Sequence, residues 1–338
     1  MLTELTDALG LTDPWTFAAI FLGASLLMLW RLEAMLHHGL DGTALGTLVM
    51  PYCSGLGNLL FVFIMVQRGG AAQEVLTNSI VNNVTNLTLL LGLPALCWGL
   101  PVVGGSASAG ASKAKSGGER ASAGPAAQIN RLSLLLSLTA VVFFTGAGWL
   151  LGRDGTLSRT DGLVLIGLFF FWQSFQIYDV MKQNIARRTS FGVWFYVDAV
   201  VLLASAWLIY ASLDWLVGWL APQKGGFVSG QNLGWLSGWL MVLPNALLAF
   251  YWGAKRRADV VYASQVGDGH ICIPLGVGLL AVFEPVAVPA MFQSGLLLLL
   301  GAAAGHAIFL LVAGGLPRWA GWIFTAAYGW FLWDGLLG

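Results

Sequence analysis

The stretch LTNSIVNNVTNLTLLLGLP, residues 76–94, sets four asparagines against an apolar run. Asn78, Asn82 and Asn86 recur at i, i+4 and i+8, so on a helix they form one stripe; Asn83 widens it to about 140° of arc. An amide without a partner in hydrocarbon costs about 2–7 kcal/mol, so such a stripe cannot face lipid. It must face other helices or a wet cavity. Amide oxygens are ligands for hard cations, and amide NH2 groups bind anions or carbonyls. A plainer reading competes: polar side chains between membrane helices hold them together for about 0.6 kcal/mol each.

The rest of the chain is built for a bilayer. Of 338 residues, 57% are hydrophobic and 9% charged, with a mean hydropathy of +0.77. Soluble domains carry about a quarter charged residues. Apolar runs long enough to cross a membrane fall at ten places, roughly 15–32, 43–67, 76–100, 132–152, 161–181, 191–212, 232–254, 259–283, 286–313 and 318–337. The net charge of zero leaves no footprint for nucleic acid. Cys53, Cys97 and Cys272 lie in or beside apolar segments and form neither a disulfide framework nor a spaced metal site. The N-terminal MLTELTDALGLTDPW is acidic and lacks the basic start of a cleavable signal. No nucleophile elbow, HExxH motif or phosphate loop occurs, so the chain does not read as an enzyme and no cofactor is expected.

Residues 104–128, GGSASAGASKAKSGGERASAGPAAQ, are too poor in large apolar residues to build a core and read as a flexible linker. The short basic KQNIARRTS, 182–190, joins the fifth and sixth runs. Twelve of the Lys and Arg residues fall at connections after odd-numbered runs and four after even-numbered ones. The positive-inside rule then makes the odd connections cytoplasmic and places both termini outside. The basic connection divides the chain five plus five: 1–181, carrying the linker, and 191–338. An odd number of spans per half forces the halves into opposite topology. They also read alike. YCSGLGNLLFVFIMVQRGGAAQEVLTN begins at Tyr52 and WLMVLPNALLAFYWGAKRRADVVYASQ at Trp239. In each, an Asn follows Gly or Pro near mid-span, then come apolar residues, a basic turn, an acid and the next helix. Asn58 pairs with Asn245 and Arg68 with the Lys255–Arg257 cluster. Polar, Gly- or Pro-interrupted segments at matching places of inverted repeats point to a binding site at the bilayer midplane.

This pattern resembles the cation/calcium antiporter superfamily, the sodium/calcium exchangers and their relatives. Each half of that family carries G-T-S-x-P-E on its second helix and G-N-x-x-G-S-N-x-x-N on its third. Here CSGLGN (53–58) stands at the first motif, and TNSIVNNVTN (77–86) follows the second, with Asn82 at its serine. In the other half WLMVLPN (239–245) keeps the proline, and ASQVGDGHIC (263–272) keeps Gly267 and puts Asp268 at the serine. The resemblance implies an all-α integral membrane fold of ten helices in two inverted five-helix repeats. It also implies transport by alternating access, and residence in a plasma membrane, taken as prokaryotic. The glutamates that the family turns to calcium both read as Asn, at 58 and 245. That symmetric exchange suits a monovalent or weakly held divalent cation, with sodium, calcium or a proton as the transported ion.

Asp268, between two glycines, is the one carboxylate mapping inside the expected site. The candidate ion-binding residues are therefore Asn58, Asn245, Asn78, Asn82, Asn83, Asn86 and Asp268, with Asp268, Asn58 and Asn245 as the candidate metal ligands. His270 and Cys272 follow Asp268 closely enough to hint at a soft-metal site; His306 reads as a packing residue. The alternative function is a membrane subunit that keeps the fold, does not transport, and docks a partner protein. The lipid bilayer and a small cation are the other expected partners, and nothing in the sequence fixes an oligomeric state.

Overall fold

The computed structural model describes residues 13–37, 49–102, 125–184 and 192–337. The linker expected at 104–128 and the basic connection at 182–190 lie largely outside the described residues. Residues 125–128, read as linker, form the first turn of a helix that Pro125 opens. Proline is accommodated there because a first-turn N–H has no helical partner anyway.

Among the described residues the chain runs as ten helical segments: α1 (Pro14–His37), α2 (Met50–Ser54 and Leu56–Arg68), α3 (Ala72–Leu87 and Leu89–Trp98), α4 (Pro125–Leu151), α5 (Arg159–Asn184), α6 (Val193–Leu220), α7 (Leu233–Ala254), α8 (Ala258–Gly267, Gly269–Ile271 and Gly278–Phe283), α9 (Met291–Ala313) and α10 (Arg318–Leu336). Among the described residues, eight helices are long and apolar enough to cross a membrane. The broken α2 and the nineteen-residue α10 fall outside that set. The fold is all-α and membrane-type.

The breaks have local causes. In α2, Gly55 brings the backbone against α8: a Cβ there would lie 3.1 Å from Ile271 Cβ. In α3 the Thr88 hydroxyl bonds Val84 O at the junction of the two pieces. In α8 a π-helical turn spans Cys272–Val277 and contains Pro274, which has no N–H to return to the preceding turn. Pro244 interrupts the ladder of α7 in the same way.

The halves pack as images of one another. Helix α1 lies along α6, and α4 along α9. The pair α3–α7 is matched by α2–α8, and α3–α10 by α5–α8. At α3–α10 a Cβ on Gly321 would lie 2.6 Å from Gly92 O; at α5–α8 a Cβ on Gly162 would lie 2.6 Å from Gly278 O. Only glycine permits either crossing. The connections match too. Strand β1 (Leu100–Pro101) pairs antiparallel with β4 (Gly315–Leu316), and β2 (Thr156–Leu157) with β3 (Val286–Ala287). Exchanging the halves turns one ribbon into the other. The first gathers connections 3–4 and 9–10 at one end of the molecule. There Arg256 donates to Trp98 O at 3.2 Å and Arg131 to Leu311 O at 2.6 Å. The second ribbon gathers connections 4–5 and 8–9 at the other end. An extensive apolar core runs through α2, α3, α7 and α8, with α4, α9 and α10 around it.

Candidate functional site

Helices α3 and α8 carry the polar groups into this core. Asp268 follows the first piece of α8 and is fully buried, at 0% exposure. Its Oδ2 accepts from Asn245 Nδ2 of α7 at 2.7 Å and from Asn86 Nδ2 of α3 at 3.0 Å. Ser54 of α2 and Asn82 of α3 stand beside the same carboxyl. Asn82 directs its Nδ2 to Cys272 Sγ at 3.8 Å. The motif alignment places Asn82 on Asp268 and Asn86 on Cys272. The contacts Asn86–Asp268 and Asn82–Cys272 are therefore images of one another across the two halves.

The expected stripe is buried as a unit: Asn78, Asn82, Asn83 and Asn86 are each at most 1% exposed. Its members do different things. Asn78 donates to Ser237 Oγ at 3.0 Å and to Met241 Sδ at 3.4 Å, tying α3 to α7. Asn83 turns its Nδ2 back to Ser79 O at 2.7 Å, within its own helix, and packs against Gly269. Asn82 and Asn86 are shared with α8. Asn58 is buried in α2, and neither its oxygen nor its nitrogen has a hydrogen-bond partner. Its image Asn245 spends its nitrogen on Asp268.

Five oxygens are left over. Asn58 Oδ1, Asn82 Oδ1, Asn86 Oδ1, Gln265 Oε1 and Asp268 Oδ1 are all buried without a donor. An unsatisfied buried acceptor costs about 1–3 kcal/mol. Carboxylate and amide oxygens are the atom types that hard cations take as ligands.

Sequence reasoning did not single out Ser54, Ser237 or Gln265 at this core. Gln265, also fully buried, donates to Asn245 O at 3.2 Å and thereby holds that asparagine from behind. Nothing in its spacing marked it. His270 leaves the site: its Nε2 meets Ser137 O at 2.8 Å, and its ring lies against Phe144 and Trp172. His306 is a packing residue as expected, held by Tyr262 Oη at 3.1 Å and Leu87 O at 2.7 Å and stacked on Phe324.

Among the described residues, the two halves differ in how open they are beside the site. A cavity of about 270 Å³ runs from Asp259 and Ser133, at the end of the α7–α8 turn, to Ser54, Asn245 and Gly267 beside the buried carboxylate. The matching place in the other half, between α3 and α7, is shut. Gly234 N donates to Glu74 Oε2 at 2.6 Å. A Cβ on Gly234 would lie 2.5 Å from Glu74 O, and one on Gly238 2.9 Å from Val81.

Buried polar groups on broken helices, where the two halves meet, lie where transporters built of inverted repeats place their sites. Residues 15–178 match the family described as sodium/calcium exchanger protein. Solved structures agree on the fold. The sodium–calcium exchanger NCX_Mj soaked with 10 mM Na+ and 10 mM Sr2+ is 18% identical, covers 96% of this chain and 98% of its own, and has a TM-score of 0.64. The same exchanger without Na+ and Ca2+ is 17% identical over 93% of this chain and 95% of its own, with a TM-score of 0.61. No curated protein matches the chain. The chain thus resembles the sodium/calcium exchangers in sequence over residues 15–178 and in fold over nearly its whole length.

Proposed function

We propose that this protein exchanges cations across a membrane by alternating access. Asp268 anchors the cation, and Asn58, Asn82, Asn86 and Asn245 complete or position its donor set. The observation that carries this reading is that Asp268 and two amides beside it, Asn82 and Asn86, each keep a buried oxygen without a donor. A membrane scaffold that had lost transport would have no reason to keep such bare acceptors buried, because each opposes folding. The reading comprises ten crossings in two repeats, 1–181 and 191–338. Both termini lie outside, and the site is reached from the cytoplasm through the cavity at the Lys255–Arg257 end. Selectivity follows from charge count. NCX_Mj is a sodium–calcium exchanger; the glutamates that the resemblance assigns to calcium are Asn58 and Asn245 here. A site with one carboxylate holds a monovalent cation, or a divalent one weakly, unless another group supplies charge.

Flux into proteoliposomes tests the proposal. Wild-type protein is expected to move a cation against a sodium or proton gradient, and Asp268→Asn to abolish that flux while its melting temperature is retained. Absence of flux for every cation tried in the wild type would favour the docking-subunit reading.

A further inference from the structure

The Cys272 thiol has no part in a hard-cation site, yet it occupies a donor position. It is fully buried. It lies one helical turn beyond Asp268, whose carbonyl accepts from Cys272 N at 2.9 Å. Its sulfur touches Asn82, the amide that flanks the Asp268 carboxyl. Its image in the first half is Asn86, which bonds Asp268 directly. The bare oxygens Asn82 Oδ1, Asn86 Oδ1 and Asp268 Oδ1 are a separate observation at the same place. A second sulfur follows the pattern. Met241 Sδ, 3.4 Å from Asn78 Nδ2, stands where the first half has Ser54. The second half thus offers sulfur at two positions where the first offers oxygen.

Charge count then selects the ion. Asp268 contributes one negative charge and the amides none. A divalent cation in a dry site needs a second. His270 is committed to Ser137 O, and no cluster of three His, Cys, Asp or Glu forms among the described residues. Among the described residues, Cys272 is an ionisable side chain one turn from Asp268 on the same helix. Sodium and calcium prefer oxygen, whereas thiolate selects softer ions. We propose, building on the cation-carrier reading above, that this site takes a thiophilic divalent cation of the zinc and cadmium class, held by the Asp268 carboxylate, the Cys272 thiolate and the oxygens of Asn82 and Asn86. As the S–metal bond forms, the S–H bond breaks and its proton passes to water in the cavity at Asn245; no electrons are exchanged.

The test uses the full-length protein in detergent, titrated with cadmium chloride and followed by the near-ultraviolet thiolate-to-cadmium charge-transfer band. One equivalent is expected to saturate the band in wild type, in Cys53→Ser and in Cys97→Ser. Cys272→Ser and Cys272→Asn, the latter copying Asn86, are expected to lose it. By calorimetry both Cys272 variants should lose at least about tenfold in cadmium affinity while calcium affinity moves less than about twofold. No band in the wild type, or a band that survives in either Cys272 variant, overturns the assignment. The two layers separate cleanly. Cation binding that depends on Asp268 without a cadmium band sinks the thiol ligand and leaves the carrier; cation binding indifferent to Asp268→Asn sinks both.

Discussion

Replacing Asp268 by Asn removes one negative charge and little else. The side chain keeps an oxygen to accept from Asn245 and Asn86, which now stand 2.7 and 3.0 Å from Oδ2. The fold should therefore hold, and the thermal midpoint should stay level or rise, since an ionised group no longer sits in the dry core. Binding should not hold. Two unit charges about 4 Å apart attract by about 4 kcal/mol at an effective dielectric constant of about 20, which is roughly a thousandfold in affinity for a monovalent cation. Protonation removes the same charge, so wild-type affinity should fall as pH is lowered, and the variant should lose that dependence. Calorimetric titration of the purified variant with sodium and calcium between neutral and acidic pH measures both quantities. A loss below about tenfold, or a pH dependence equal to wild type, would refute the anchor role, because no amide at this site can supply the missing charge.

Asn58→Glu combined with Asn245→Glu should strengthen calcium binding, because it adds acids at the positions where the resemblance places them; titration showing no gain would count against the alignment of the halves. Gly162→Ala and Gly321→Ala, whose Cβ atoms would each come within 2.6 Å of a facing glycine carbonyl, should each lower stability by about 1–3 kcal/mol. A difference in melting temperature between two such matched variants would argue against paired crossings. Ala263→Cys, in the cavity wall, should react with a polar thiol reagent from the end bearing the α7–α8 turn, whereas Thr77→Cys, its image at the closed α3–α7 contact, should stay protected. Equal labelling of the two would refute one-sided access.

Much of this protein is decided along the chain itself. Apolar runs of span length require helices in a bilayer, because no water is there to satisfy an open backbone. The i, i+4, i+8 spacing of Asn78, Asn82 and Asn86 already forbids lipid on that face, and the structure buries all three. The repetition of an Asn after Gly57 and after Pro244 marks where two helices would bring amides inward, and the buried positions of Asn58 and Asn245 agree. The tertiary structure decides which donor meets which acceptor. Asn83 belongs to the same stripe, but its nitrogen turns back to a carbonyl of its own helix. His270 lies two residues from Asp268, yet the helical turn between them points its ring at α4. Cys272, at i+4, shares the face of Asp268 and meets Asn82. Gln265 gains a role only because Asn245 O is brought to it from another helix. Spacing along a helix fixes the direction in which a side chain leaves the backbone, while its partner is set by the rotation and depth of the neighbouring helix. The open and closed sides also belong to packing alone, since both halves carry comparable residues there and only the fit of Gly234 and Gly238 against α3 shuts one of them.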